Sequence, residues 1–213
     1  VTGVQTCALP ISINGNTKVY GTLYSDYIAG DGSGLYNLNL ETLGWYQNGD
    51  TVYNTNSGNI GIGTKALYSN TTGGGNIAIG FKALYSLSGD YDSIAIGSQA
   101  LYSASSGHNI AIGHYSLGNN ISGTQNVGIG ESSLSNTNGS NNTGVGYNSE
   151  VQSGDNNTGL GSYALGTVGG GSNNTATGYF SLGHNQSGVN NTANGTQSLG
   201  SNVSGNHNTA IGF

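Results

Sequence analysis

The nine residues Asn76-Ile77-Ala78-Ile79-Gly80-Phe81-Lys82-Ala83-Leu84 set the architecture of this chain, because versions of them recur up to its last residues. Each copy has a large or β-branched residue, a small residue, a third residue that is usually large, and a closing glycine. The ten copies are residues 60–63, 77–80, 94–97, 110–113, 127–130, 143–146, 158–161, 175–178, 192–195 and 209–212. Their closing glycines are separated by 17, 17, 16, 17, 16, 15, 17, 17 and 17 residues. A period this regular indicates stacked repeats.

Positions within a repeat are counted from its closing glycine, which is position 0. The alternation at −3, −2 and −1 predicts a short strand, with Ile77 and Ile79 on one side and Ala78 on the other. An alanine or serine at +3 and a leucine at +4 predict a second short strand, followed by a turn rich in glycine, serine and asparagine. We expect the isoleucine pair and the leucine to be buried. The copy containing Ser149-Glu150-Val151 departs from this pattern.

A single repeat is too small to be stable, because it buries few apolar side chains for the backbone entropy it loses. Stacking supplies a continuous core and pairs the backbone of each repeat with the next. The later copies replace isoleucine by threonine or asparagine, so we expect their cores to be thinner. This favours association of several chains.

Asparagines recur one or two places before the predicted strands. Examples are Asn141-Asn142, Asn156-Asn157, Asn173-Asn174 and Asn190-Asn191. Asparagine tolerates a left-handed backbone and bonds to its own turn. When stacked in register, such side chains form ladders of amide hydrogen bonds. We therefore expect a structural role for these residues.

Composition excludes several classes of partner. Only 6% of the residues are charged, and the basic residues are Lys18, Lys65 and Lys82 alone. Binding to nucleic acid requires lysine or arginine to neutralise phosphates, so it is not expected, and neither is docking on anionic membranes. No apolar run approaches the roughly 18 residues of a membrane-spanning helix. The single cysteine, Cys7, allows no disulfide framework.

The sequence divides into three parts. The first eleven residues, which hold Cys7 and the only proline, Pro10, match the translation of a sequencing adapter, so residues 1–12 are not expected to be native. Residues 13–58 are interpreted as a β-rich connector, and residues 59–213 as the ten-copy repeat region. The chain stops at Gly212-Phe213, just after a closing glycine, so we expect it to be an internal fragment of a longer polypeptide.

No catalytic, cofactor or metal site is predicted, and the chain is not expected to be an enzyme. Asp90 and Asp92 are the nearest acidic pair, in a predicted loop. Of the four histidines, His108 and His207 share position −5 but lie in distant repeats, and His114 and His184 hold other positions, so the histidines form no column. The glycine-rich stretch 30–34 lacks the lysine of a phosphate-binding loop.

Tyr68, Tyr85 and Tyr102 all lie at position +5 and are 17 residues apart. In stacked repeats they would form one column of rings. Two interpretations are open: contact with the faces of sugar rings, or a packed seam that shields a strand edge. This column is the one candidate site that the sequence offers.

The residues Asn76-Ile-Ala-Ile-Gly-Phe-Lys-Ala-Leu-Tyr-Ser86 resemble the head repeats of trimeric autotransporter adhesins and, more closely, the longer repeats of phage tail fibres. Residues 19–38, with Gly30-Asp31-Gly32-Ser33-Gly34-Leu35, and residues 45–63 resemble the shaft elements of the same proteins. The resemblance implies an all-β, left-handed parallel β-roll or β-solenoid with coils of about 17 residues and three identical chains. It also implies a virion tail fibre or bacterial cell surface, with a host-cell receptor, such as a glycan, as partner. The self-cleaving chaperone that ends many such proteins is absent from this sequence.

Two other classes remain open for a self-contained β-solenoid. A carbohydrate-active or other enzyme would need a placed catalytic group, and hexapeptide acyltransferases space their apolar residues differently. An ice-binding solenoid would need a flat array of Thr-x-Thr, of which Thr175-Ala176-Thr177 is the single example. Neither class has further support in the sequence.

Overall fold

Eleven short strands occur in the part of the chain that the structure, a computed structural model, describes: residues 52–55, 58–166 and 169–213. They are β1 (Val52–Thr55), β2 (Asn59–Ile62), β3 (Ile77–Ile79), β4 (Ile94–Ile96), β5 (Ile110–Ile112), β6 (Val127–Ile129), β7 (Thr143–Val145), β8 (Thr158–Leu160), β9 (Thr175–Thr177), β10 (Thr192–Asn194) and β11 (Thr209–Ile211). Strands β3 to β11 each cover positions −3 to −1 of one repeat. The predictions for residues 1–12, and for 13–58 except 52–55 and 58, lie outside the described residues.

The strands form one sheet in chain order. β2 to β11 are parallel, and β1 pairs with β2 in the antiparallel sense. Equivalent positions lie side by side, as in Ile77 with Ile94 and Ala78 with Ala95. Parallel neighbours in register require the chain to return to its starting edge once per repeat. The prediction of an all-β, repetitive parallel β-solenoid is therefore confirmed, with about nine turns.

The glycine at position 0 lets the chain leave the strand. Its φ lies between +119° and +138° in all ten repeats, and at Gly97 it is +135°. A Cβ at Gly97 would lie 2.4 Å from the carbonyl oxygen of Gly113 in the next coil. Both the backbone conformation and the close approach of successive coils therefore require glycine here.

The segment after the glycine is a turn, so the predicted second strand at +3 and +4 is wrong. The residues at +2 and +4 have left-handed backbones, and the leucines at +4 have φ between +48° and +58°. This conformation costs about 1–2 kcal/mol for a residue with a Cβ. With this backbone the leucine side chain points into the coil. The turn also pairs with the turn of the next coil, because the Leu84 N–H donates to the Ala100 carbonyl oxygen at 3.0 Å.

The core contains the small residue at −2 and the leucine at +4, whereas the isoleucines lie on the outer side of the sheet. Ala78 and Leu84 have no exposed surface, while Ile96 and Ile112 are each 37% exposed. The expectation that the isoleucine pair is buried is therefore wrong. The interior is too narrow for them: even a Cβ at Gly144 would lie 2.7 Å from Cγ of Leu134.

The residue at −2 packs on the +3 residue of the preceding coil, and their sizes match from β3 to β9, whereas β10 and β11 place alanine on serine, with Ala193 on Ser181 and Ala210 on Ser198. Each glycine at −2 from β6 to β8 lies on a serine whose hydroxyl donates to that glycine's carbonyl oxygen, as Ser116 does to Gly128 at 2.9 Å. A Cβ on Gly128 would lie 2.6 Å from Oγ of Ser116. Each alanine at +3 is followed by an alanine at −2 in the next coil: Ala66 and Ala78, Ala83 and Ala95, Ala100 and Ala111, Ala164 and Ala176.

The second asparagine before each strand, at −4, forms a continuous ladder inside the coil. Asn126 Oδ1 accepts the backbone N–H of Asn142 at 2.9 Å, and its Nδ2 donates to the Gly139 carbonyl oxygen at 2.8 Å. The asparagine before it, at −5, is exposed and left-handed, with φ of 61° at Asn141. Both structural roles predicted for the asparagines are confirmed. One rung differs, because Ser93 replaces asparagine.

Candidate functional site

The tyrosines at +5 form the predicted column. The ring centroids of Tyr68 and Tyr85 are 5.1 Å apart with planes 2° from parallel, and those of Tyr85 and Tyr102 are 5.2 Å apart at 16°. Strand register produces this stack, because successive coils place equivalent residues above one another. Tyr68 is 62% exposed, whereas the other two rings are half-buried.

Two lysine side chains lie along this column. Lys65 Nζ is 5.6 Å from the Tyr68 centroid, and Lys82 Nζ is 5.6 Å from the centroids of both Tyr85 and Tyr102. Lys82 Nζ also lies 5.1 Å from the Phe81 ring. Each contact lies within the roughly 6 Å at which a cation is attracted to a ring face.

At Tyr85, the stacking covers the ring faces that a sugar would need. Tyr85 has one parallel ring on each side, so neither of its faces is open. Sugar rings stack through their C–H groups on an aromatic face, where the quadrupole is negative. The geometry therefore favours the packed seam, and contact between this column and a glycan stays a prediction.

The column stops after Tyr102 because the aromatic residue moves from +5 to +2. Later coils carry glycine at +5 where an aromatic occupies +2, as in Tyr115 with Gly118 and Phe180 with Gly183. A Cβ on Gly118 would lie 2.8 Å from the Tyr115 ring, and one on Gly183 would lie 2.6 Å from the Phe180 ring. The ring at +2 therefore covers the space that a side chain at +5 fills in earlier coils.

A second group of rings lies further along the chain, and the sequence analysis did not identify it. This five-ring cluster consists of Tyr147, Tyr163, Tyr179, Phe180 and His184. Tyr163 is perpendicular to both tyrosine neighbours, with planes at 77° and 87° and centroids 5.3 and 6.2 Å away. A side-chain hydrogen bond with Tyr147 raises the pKa of Tyr163. Aligning positions +1 and +2 with +5 would have revealed the cluster.

The ionisable side chains of the described residues are mostly scattered. No three histidine, cysteine, aspartate or glutamate side chains come together within the described residues. His108 Nε2 lies 3.9 Å from Asp92 Oδ2 at the surface. Glu150 is buried in the coil that departs from the pattern, where Val151 fills the core, and its Oε1 accepts a hydrogen bond from Asn136 Nδ2 at 2.6 Å. Burial raises the pKa of this carboxyl.

The outer side of the sheet carries an apolar surface on β2 to β6, which we call the isoleucine face. It consists of the residues at −3 and −1 in these strands: Ile60, Ile62, Ile77, Ile79, Ile94, Ile96, Ile110, Ile112, Val127 and Ile129. The strands above and below cover these side chains in part. The most exposed of them are Ile60, at 44%, and Ile62, Ile96, Ile112 and Ile129, at 37–39%. From β7 onward, threonine occupies −3.

Within the described ranges, no helix has the length and apolar character needed to cross a membrane. Comparisons with protein-family models, curated proteins and solved structures find no match to this chain.

Proposed function

We propose that this chain is a segment of a homotrimeric, left-handed β-roll in a phage tail fibre or a bacterial surface adhesin. Its role is to hold out a surface that binds a receptor on a host cell. It acts without a catalytic group or cofactor. The isoleucine face is the observation that carries this proposal, with the resemblance of the repeats as further support.

We expect the isoleucine face to be buried against another protein surface. It presents ten apolar side chains and no charged one on five adjacent strands. Contiguous apolar patches of this kind on soluble proteins usually mark an interaction surface. Three identical copies placed around one axis would bury the three faces against each other, and apolar burial would drive their association.

The solenoid suits a fibre in two further respects. Each coil is bonded to the next along the sheet, the turn and the asparagine ladder, so the segment resists bending at any single coil. A trimer also repeats every outward surface three times. Simultaneous engagement of several copies strengthens attachment without any new contact.

The mass of the chain in solution tests the proposal, measured by light scattering on a sizing column with circular dichroism alongside. We expect a β spectrum and three times the chain mass of 21.4 kDa. A folded monomer with intact β structure would overturn the trimer and leave a self-contained solenoid.

Ice binding is the second candidate, and one observation favours it. Thr143, Thr158, Thr175, Thr192 and Thr209 occupy position −3 in five successive parallel strands, so their side chains form a regular row. The row at −1 beside it is mixed, with Val145, Leu160, Thr177, Asn194 and Ile211. An ice-recrystallisation assay separates the candidates, since a fibre segment should leave crystal growth unchanged.

A further inference from the structure

The five-ring cluster differs from the tyrosine column in how its rings are turned. Tyr163 is nearly perpendicular to Tyr147 and Tyr179. Phe180 is tilted by 36° against Tyr179 with its centroid 6.2 Å away, so no ring stacks in parallel on either tyrosine. Tyr147 is 47% exposed and Tyr179 is 51% exposed. Open aromatic faces are therefore available here, whereas parallel neighbours cover them at Tyr85.

The coil does not require these rings. Positions +1 and +2 follow the same turn in every coil, yet they hold Ser98 and Gln99 in one repeat and Thr196 and Gln197 in another. Gln99 and Gln197 have the same left-handed φ of 57°, close to that of Tyr163 at 56°. Since small or polar residues satisfy this backbone, the clustering of rings on successive coils calls for another explanation.

The charges around the cluster indicate the class of ligand. Glu131 lies at +1 in the coil before Tyr147 and is exposed, and its carbonyl oxygen accepts the Asn148 N–H at 3.1 Å. The sequence contains no lysine or arginine after Lys82. An acidic ligand would meet a carboxylate and no cation, whereas a neutral, hydroxyl-rich ligand could donate hydrogen bonds to that carboxylate.

We propose that the five-ring cluster binds a neutral glycan, with sugar rings stacked on Tyr147 and Tyr179. This inference rests on the proposed receptor-binding role and names the ligand class for it. The C–H groups of a pyranose ring meet the negative face of the aromatic ring. The paired side chains of Tyr147 and Tyr163, with the carboxylate of Glu131 at one end, supply polar partners for sugar hydroxyls.

Binding of the full chain to immobilised hexasaccharides tests this inference. The neutral probes are cellohexaose, maltohexaose and chitohexaose, and hexagalacturonate is the acidic counterpart. We expect at least one neutral probe to bind, and hexagalacturonate to bind about tenfold more weakly. Tyr147→Leu and Tyr179→Leu should each weaken neutral binding about tenfold, while the phenylalanine variants retain most of it.

Tyr91→Leu is the matched control, because Tyr91 is 51% exposed, as Tyr179 is, and lies outside both ring groups, so the change should alter binding less than twofold. Circular dichroism melting of every variant excludes loss of fold as the cause. Two results overturn the inference: no binding of any neutral probe, which would leave a protein partner for the cluster, or equal weakening by Tyr91→Leu. The mass of the same samples keeps the tests separate, because a trimer without glycan binding contradicts only this inference and a glycan-binding monomer contradicts only the trimer.

Discussion

Gly128 and Ser116 show how closely the interior of the coil is filled. The serine hydroxyl lies under the glycine and bonds to its carbonyl oxygen at 2.9 Å. A methyl group on the glycine would lie 2.6 Å from that hydroxyl oxygen. In coils with alanine at both positions there is no hydroxyl, and the methyl group fits.

We therefore expect Gly128→Ala to destabilise the fold by about 1–3 kcal/mol through overpacking. Adding Ser116→Ala should restore most of the loss, since it recreates the pairing of Ala83 with Ala95. Denaturant unfolding followed by circular dichroism measures both variants. Gly170→Ala is the control, because its Cβ would meet only Ser153 Oγ at 3.5 Å. Additive effects of the two changes would contradict the size matching.

Glu150 is a buried carboxyl with a raised pKa in the folded state. Between its unfolded pKa of 4.5 and the higher folded value, the folded chain holds more protons than the unfolded one, so stability falls as the pH rises through this window. We expect Glu150→Gln to stabilise the chain at neutral pH and to remove this part of the pH dependence. Unfolding midpoints at pH 4 to 8 provide the measurement. A variant less stable than the parent at neutral pH would refute the argument.

The asparagine ladder is the element that holds successive coils in register at the start of each strand. Each asparagine of the ladder from Asn59 to Asn191 bonds to the backbone of the next coil and to a turn carbonyl, and no buried side-chain nitrogen or oxygen within the described residues lacks a partner. Removing one member leaves two backbone groups unsatisfied in the interior.

We expect Asn126→Ala to cost several kcal/mol, because an unsatisfied buried polar group costs about 1–3 kcal/mol and this change creates two. Asn156→Gly, at an exposed position with φ of 57°, should have little effect because glycine accepts that backbone. Urea unfolding of both variants gives the comparison. Equal stability of Asn126→Ala and the parent would contradict a structural ladder.

The elements show which parts of the fold follow from the sequence. The strands and the asparagine roles follow from period and alternation, because each repeat places the same residue types at the same positions. The parallel sense of the strands was implied by the resemblance of the repeats. The direction of the isoleucines does not follow, because alternation separates two faces without saying which is inside. Packing decides which face is inside. The turn places the Leu84 side chain in the interior, and the remaining space accommodates a side chain as small as that of Ala78.

The candidate sites divide in the same way. The tyrosine column was predictable, because Tyr68, Tyr85 and Tyr102 keep one position and the register stacks it. The orientation of its rings was not predictable from the sequence, because it depends on side-chain packing between coils. The five-ring cluster uses positions +1, +2 and +6, so a search at one position cannot find it.

At the largest scale, the described solenoid has distinct surfaces along its sheet. Its sheet is apolar on β2 to β6 and carries threonine at −3 from β7 onward. We therefore expect association to be concentrated on the first half of the described sheet. Further along, the sheet can remain in water, and the five-ring cluster lies in that half.

The most direct test of the account is the mass of the double variant Ile96→Lys, Ile112→Lys beside that of the parent, by light scattering at equal concentration. Two lysines in the isoleucine face would place unpaired charges inside a trimer without entering the core of the coil. The account predicts a trimeric parent and a folded monomeric variant, while Thr71→Lys, at an exposed turn, stays trimeric. A variant that remains a trimer, or a parent that is a folded monomer, would contradict it.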